Sequence, residues 1–501
     1  MTPAYAALEA RFRRLAALEG AGGILHWDRA TMMPPGGAEA RAEQLATLQV
    51  IAHEILTAPD TADLLARAAG EPGLDAWQQA NMREMRRRWV HATAVPSRLV
   101  EALSKATSAC EMTWREARKA SDYACVKPQL QAVLDLVREA AAAKAAALGV
   151  TPYDALLDQF DPDQRAARID AVFARLEAFL PGFVGRVIEK QAREEQPRVP
   201  AGPFPVKTQR KVGLALMRAA GFDFERGRLD VSAHPFCGGG PDDIRITTRY
   251  DEADFSRALM GVLHETGHAL YELGLPRDWQ TQPVGSARGM TLHESQSLLV
   301  EMQACRSPQF LAYAAPVLRA AFAPTAPADD PAWSADNLAR LYTRVQRTLI
   351  RVDADEATYP LHVMLRYRLE TAMLAGDLAL SDLPGAWTEG MRKLVGVAPP
   401  DDAQGCLQDI HWYDGAFGYF PTYTLGAMAA AQLYDAAKRA DARIEAAIAA
   451  GDFRPLLAWL RPNVHAKGSL LGTDALLERA TGRPLDASIY LAHLERRYLG
   501  A

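Results

Sequence analysis

Apolar residues recur every three to four positions along most of this chain, with Ala, Arg and Glu filling the turns between them. That period predicts helices over 37–50 (GAEARAEQLATLQV), 129–149 (QLQAVLDLVREAAAAKAAALG) and 164–195. Gly149 is placed to end the second of these. Residues 254–274, DFSRALMGVLHETGHALYELG, repeat the pattern. Asp254 or Ser256 can cap the start of that helix and Gly274 its end. Leu259, Val262, Leu263, Leu270 and Leu273 mark it as largely buried. The runs at 291–304 (TLHESQSLLVEMQA) and 343–359 (TRVQRTLIRVDADEATY) also read as helical. Apolar and polar residues alternate in the short run from Ile244 to Thr248, the best strand candidate, which follows a Gly- and Pro-rich stretch. Pro197, Pro200, Pro203 and Pro205 punctuate a connector, 323–335 reads as an exposed loop, and 398–424 is irregular and rich in aromatics. The fold class expected is mainly α with a small β-sheet.

At 501 residues the chain is too long for one compact core. We divide it into an N-terminal helical lobe, 1–200, and a catalytic helical lobe, 201–501, within one unit. Apolar residues at 49% and charged residues at 23% exclude a disordered chain. A net charge of −5 leaves no basic field for nucleic acid. No run of about eighteen apolar residues predicts a membrane span, and the opening MTPAYAALEARFRR lacks the apolar core of a secretory signal. The five cysteines are widely spaced with no CxxC pair, which disfavours thiolate zinc sites and disulfides and fits a reducing cytoplasm.

The chemistry enters at His264-Glu265-Thr266-Gly267-His268. Imidazoles four residues apart share one helical face and can bind one zinc ion, while Glu265 beside them can take a proton from a bound water. Three fixed letters are a short signal, and a satisfied pair of core histidines is the alternative. Burial favours the metal, because it supplies a partner to each ring. The metzincin position for a third histidine holds Gly274, which excludes that class. Glu294 is then the favoured third ligand on spacing, with His293 and Glu301 as competitors. Glu301 is alternatively a carboxylate orienting a ligand histidine.

Several segments together resemble the thermostable carboxypeptidase 1 (carboxypeptidase Taq) family of zinc metallocarboxypeptidases. Leu25-His-Trp-Asp-Arg-Ala-Thr-Met-Met-Pro, Arg41-Ala-Glu-Gln-Leu and Pro152-Tyr-Asp-Ala-Leu-Leu-Asp are similar to family stretches. His234-Pro-Phe matches HPF, Asp243 to Thr247 matches DxRxT, and His293 to Gln296 matches HESQ. Ile350 to Asp355 matches IRxxAD, and Gly405 to Trp412 matches GxxQDxHW. After HESQ the chain departs, with Leu298 to Met302 where the family commonly carries Arg, Trp and Asn. The resemblance implies a two-lobed helical fold with a deep groove, like the neurolysin and angiotensin-converting peptidases. It implies removal of C-terminal residues from peptides, a homodimer, and Glu294 as the third ligand; Zn2+ is the expected metal, with Co2+ a substitute because His and carboxylate ligands accept both.

A carboxypeptidase must hold a terminal carboxylate, a task suited to the planar fork of arginine. Arg351 is the leading candidate and Arg245, on the expected strand, the runner-up; a plain Arg351–Asp355 surface pair is the alternative. His411 and Tyr423 can donate to a developing oxyanion and resemble the His and Tyr pair of neurolysin-type relatives. Tyr419 and Phe420 read as core packing. Gln408 is a candidate substrate donor, and His234 a wall of the groove or a structural turn. The rival functions are an endo-acting zinc oligopeptidase and a non-catalytic helical scaffold with a structural metal.

Overall fold

The structure is a computed structural model that describes residues 3–500. Helices dominate it. The expected segments appear as Ala38–Leu56, Tyr123–Leu148, Ala166–Arg193 and Phe255–Gly274. Gly149 does end its helix in the left-handed conformation, at φ 70°. Among the described residues no helix is long and apolar enough to cross a membrane.

The expected strand is β3, Asp243–Thr248, at the centre of a three-stranded sheet. It pairs in parallel with β1, Gly227–Val231, and antiparallel with β2, Cys237–Gly240; both are short, and β2 is nearly all glycine, so neither stands out in the sequence. Ile244 and Ile246 share one face of β3, where they pack with Leu229 against Val262 and Ala269 of the 255–274 helix. The sheet thus lies directly on the helix that carries the HExxH motif. A large hydrophobic cluster reaches from Cys110 to Tyr498, and a smaller one joins the first helix, Ala4–Thr31, to Leu64, Leu65 and Met85.

Three local expectations need correction. The run 343–359 is not a helix: one helix ends at Tyr342, the next starts at Tyr359, and between them lie a short 3-10 turn, Arg351–Asp353, and a turn at 356–358. Side chains take the donors that a helix would use. Asp355 accepts from the backbone N–H groups of Gln346, Ala357 and Thr358, and Gln408 accepts from that of Arg351. Gly274 does not cap its helix. Leu275 ends it in extended backbone, as the residue before Pro276 prefers, and Gly274 is needed because a Cβ there would lie 2.6 Å from His465 Nδ1. Finally, the loop 323–335 buries Trp333, which stacks on Phe255 at the start of the motif helix.

Candidate metal centre

Asp254 caps the motif helix, Phe255–Gly274, by accepting from the Ser256 N–H at 2.8 Å. One turn apart on its inner face, His264 and His268 set their rings at 84° with centroids 5.0 Å apart. Glu294 comes from a second helix, Met290–Leu298. Its Oε2 lies 3.8 Å from His264 Nε2 and 3.4 Å from His268 Nε2. Donor atoms that share a tetrahedral ion at about 2.1 Å sit roughly 3.4 Å apart, so the three side chains fit one divalent cation. The field agrees with the spacing. Burial works against a charge on His264, yet the Glu294 and Glu301 carboxylates raise its pKa to about 10. The same two carboxylates place negative charge beside the imidazole, a field that favours a cation at this site. Burial holds His268 neutral, down to about 4, and pushes the Glu265 carboxyl up to about 7.

The other candidates for third ligand point elsewhere. His293 stacks on His268 at 4.5 Å and directs its Nε2 to Glu272 at 2.9 Å. Glu301 instead meets His264 Nδ1 at 3.0 Å, and Arg306 holds its other oxygen at 2.5 Å. That is the geometry of an orienting carboxylate.

Two glycines make this convergence possible. A Cβ on Gly267, inside the motif, would lie 2.4 Å from the carbonyl oxygen of Gln296. A Cβ on Gly426, in the third helix, Pro421–Ala440, would lie 2.8 Å from Glu294 Cβ. The three helices therefore meet nearly backbone to backbone around the donor set. Gly426→Ala is expected to push Glu294 out of register, destabilising the fold by about 1–3 kcal/mol and weakening metal binding about tenfold. Thermal unfolding and a metal titration of that variant check both effects.

The donor set opens into a cavity of about 460 Å³. Glu265 lines it, together with Pro235, Phe236 and Cys237 and with Arg351, Tyr359, Tyr419 and Tyr423. Arg351 is buried and does not pair with Asp355. Its Nε and Nη2 meet Asp409 Oδ1 at 2.9 and 2.8 Å, and its Nη1 donates to the Tyr359 hydroxyl at 2.8 Å. Arg366, fully buried, takes the other oxygen of Asp409 at 2.5 Å. Two guanidiniums thus share one carboxylate. Burial keeps the adjacent His411 neutral, down to about 4, so one positive charge is left over beside the cavity. Such a charge suits an anionic ligand.

His411 Nε2 stands 3.3 Å from the Tyr423 hydroxyl, and only Tyr423 of the pair lines the cavity. Tyr419 also lines it, contrary to the core-packing expectation, whereas Phe420 is buried as expected. Gln408 is buried behind Arg351. Its Oε1 accepts from the Arg351 N–H and from Arg366, and its Nε2 donates to two backbone carbonyls. Arg245 forms a two-pronged pair with Asp243 and lies 4.5 Å over the Trp27 ring, away from the cavity lining. His234 is exposed, although the Pro235 and Phe236 that follow it line the cavity. The sequence reading missed Arg366, Tyr359 and the two glycines. Asp409 was a letter of a matched motif without an assigned task. Nothing local marks Arg366, whose partner lies 43 residues away.

A family model for carboxypeptidase Taq (M32) metallopeptidases matches residues 7–498. Thermostable carboxypeptidase 1 of Thermus thermophilus is 40% identical over 511 aligned residues, covering 99% of this chain and 99% of the relative. Thermostable carboxypeptidase 1 of Pyrococcus furiosus is 32% identical, covering 98% of this chain and 97% of its own. Among solved structures, Trypanosoma cruzi metallocarboxypeptidase 1 superposes with a TM-score of 0.96 at 42% identity, covering 99% of each chain. The family implies a divalent metal, which the donor set is built to accept. The chain belongs to the carboxypeptidase Taq (M32) family and is a metallocarboxypeptidase, a peptide hydrolase.

Proposed function

We propose that the enzyme releases C-terminal amino acids from peptides one at a time with zinc as its working metal, held by His264, His268 and Glu294. Cobalt is the expected substitute, since nitrogen and carboxylate donors accept both. Those three side chains would hold the ion, which when bound would supply Lewis acidity to a water and to the scissile carbonyl. Glu265, in the cavity beside the donor set, accepts the proton of the attacking water and passes it to the leaving amine. Tyr423 donates its hydroxyl proton to the oxygen that gains charge, and His411, with its proton on Nε2, supports that hydroxyl from behind.

Arg351 receives the terminal carboxylate. The observation that carries this reading is the surplus positive charge of the Arg351–Asp409–Arg366 group, whose Arg351 lines the same cavity as the metal ligands. Arg351 is pinned by Asp409, Tyr359 and the Gln408 amide, so its fork is ordered before substrate arrives. Gln408 acts in this scheme by shaping the Arg351 turn. His234 and Arg245 act through the β1–β3 wall that presents Pro235 to Cys237. The reading also takes 1–200 and 201–501 as two lobes flanking the groove. It places a homodimer in the cytoplasm, on the family resemblance and on five cysteines that form no disulfide among the described residues.

The test compares a short peptide carrying a free C-terminus with its C-terminal amide. An uncompensated buried arginine costs about 2 kcal/mol or more, so kcat/KM for the amide should fall roughly thirtyfold or further. Equal cleavage of both peptides would instead establish an endo-acting oligopeptidase.

A further inference from the structure

One wall of the metal cavity takes no part in the scheme above. Past Leu298 the helix that carries Glu294 winds as a π turn, Leu299–Ala304, in which the Cys305 N–H donates to Val300 O at 2.8 Å. Turns of this kind are rare and less favourable than α winding. Reverting to α geometry would rotate every side chain from Leu299 onward about the helix axis, Glu301 among them. Glu301 is the carboxylate that meets His264 Nδ1 at 3.0 Å. Something must therefore hold the turn.

The far end of the chain supplies it. The last carbonyls of any helix lack partners within the helix. Here the Arg497 fork takes two of them, donating to Met302 O at 2.6 Å and to Gln303 O at 3.2 Å. The same guanidinium pairs with Glu356 Oε2 at 2.8 Å. The other Glu356 oxygen accepts from Gln303 Nε2 at 2.8 Å and lies 2.9 Å from His493 Nε2. The buried Glu356 thus neutralises the half-buried Arg497 cation and ties the side chain of the turn to the residue that caps its carbonyls. A guanidinium at a helix C-terminus also sits favourably in the helix field.

We propose that Arg497 is a positioning residue of the metal centre, fixing the π turn so that Glu301 orients His264. The proposal rests on His264 being a metal ligand. Arg497 itself touches neither metal ligand nor substrate; it acts through the backbone of the turn.

The test measures Zn2+ affinity of the full-length enzyme by competition with a chromophoric chelator. Arg497→Lys keeps a charge against Glu356 but lacks the fork that spans both carbonyls. It should weaken Zn2+ binding about tenfold, the range seen when an outer partner of a ligand is lost, and Arg497→Met should weaken it further. Glu301→Gln should also weaken binding, and adding Arg497→Lys to it should change affinity by less than about twofold, because both act through one contact. A purely structural role would lower the melting temperature of the metal-loaded and metal-free protein alike and leave affinity unchanged. Affinity within about twofold of wild type in both Arg497 variants overturns the proposal, as does an undiminished loss in the Glu301→Gln background. If Arg497→Met does not fold, Arg497→Lys decides alone. His264→Ala is the control: wild-type affinity in that variant would sink the metal-ligand reading itself, separately from the proposal.

Discussion

Glu265→Gln should bind metal as wild type does and turn over its peptide about 10²–10⁴ times more slowly, the range that a positioned proton-transfer group contributes. Glutamine keeps the shape of a side chain that is only 7% exposed, and none of the three donor atoms belongs to it. What it loses is the basic oxygen. Burial already lifts the Glu265 carboxyl to about 7, close to the value at which a group both accepts and returns a proton at neutral pH. KM should stay within a few-fold, since Arg351 and not Glu265 is read as the carboxylate anchor. Steady-state kinetics beside a metal analysis separate the two quantities. A variant retaining more than about a tenth of wild-type kcat would end the general-base assignment.

Stripping the metal with a chelator should abolish hydrolysis, and adding Zn2+ or Co2+ should restore it. Glu294→Ala should not be restored, because one of three ligands is gone. Its loss of affinity should exceed the roughly 10–100-fold typical of outer partners. Secondary structure should survive in both cases. The helix bearing Glu294 is held by Leu292, Leu298 and Leu299 in the main hydrophobic cluster and by the close approach at Gly267 and Gly426, none of which needs the ion. Circular dichroism of the metal-free enzyme tests this. Cooperative unfolding on chelation would mean a structural ion and would remove the catalytic reading.

The reach of the sequence reading followed the range of the interactions involved. His264, Glu265 and His268 were legible because they sit in five consecutive letters, and the helical period alone puts both imidazoles on one face. Glu294 was legible as a favoured choice on spacing and as an implication of the family resemblance. The run 343–359 was misread because its apolar spacing is helical, while the groups that undo the helix include Gln408, remote in the chain and unreadable as a backbone partner. Tyr419 was misread because an aromatic in an irregular segment looks the same whether it fills a core or lines a cavity.

What the chain's letters carry, with no coordinates, is a mainly helical fold and two histidines on one helical face, because periodicity and motif spacing are local and survive in one dimension; the metallopeptidase reading and the final choice of Glu294 over His293 and Glu301 came from the family resemblance. The close crossings at Gly267 and Gly426, the sharing of Asp409 by Arg351 and Arg366, the π turn that turns Glu301 toward His264, and the Arg497 clasp on it came from folding. Each depends on the distance between atoms far apart along the chain. Side-chain volume and charge pairing in three dimensions set those distances, and no periodicity encodes them.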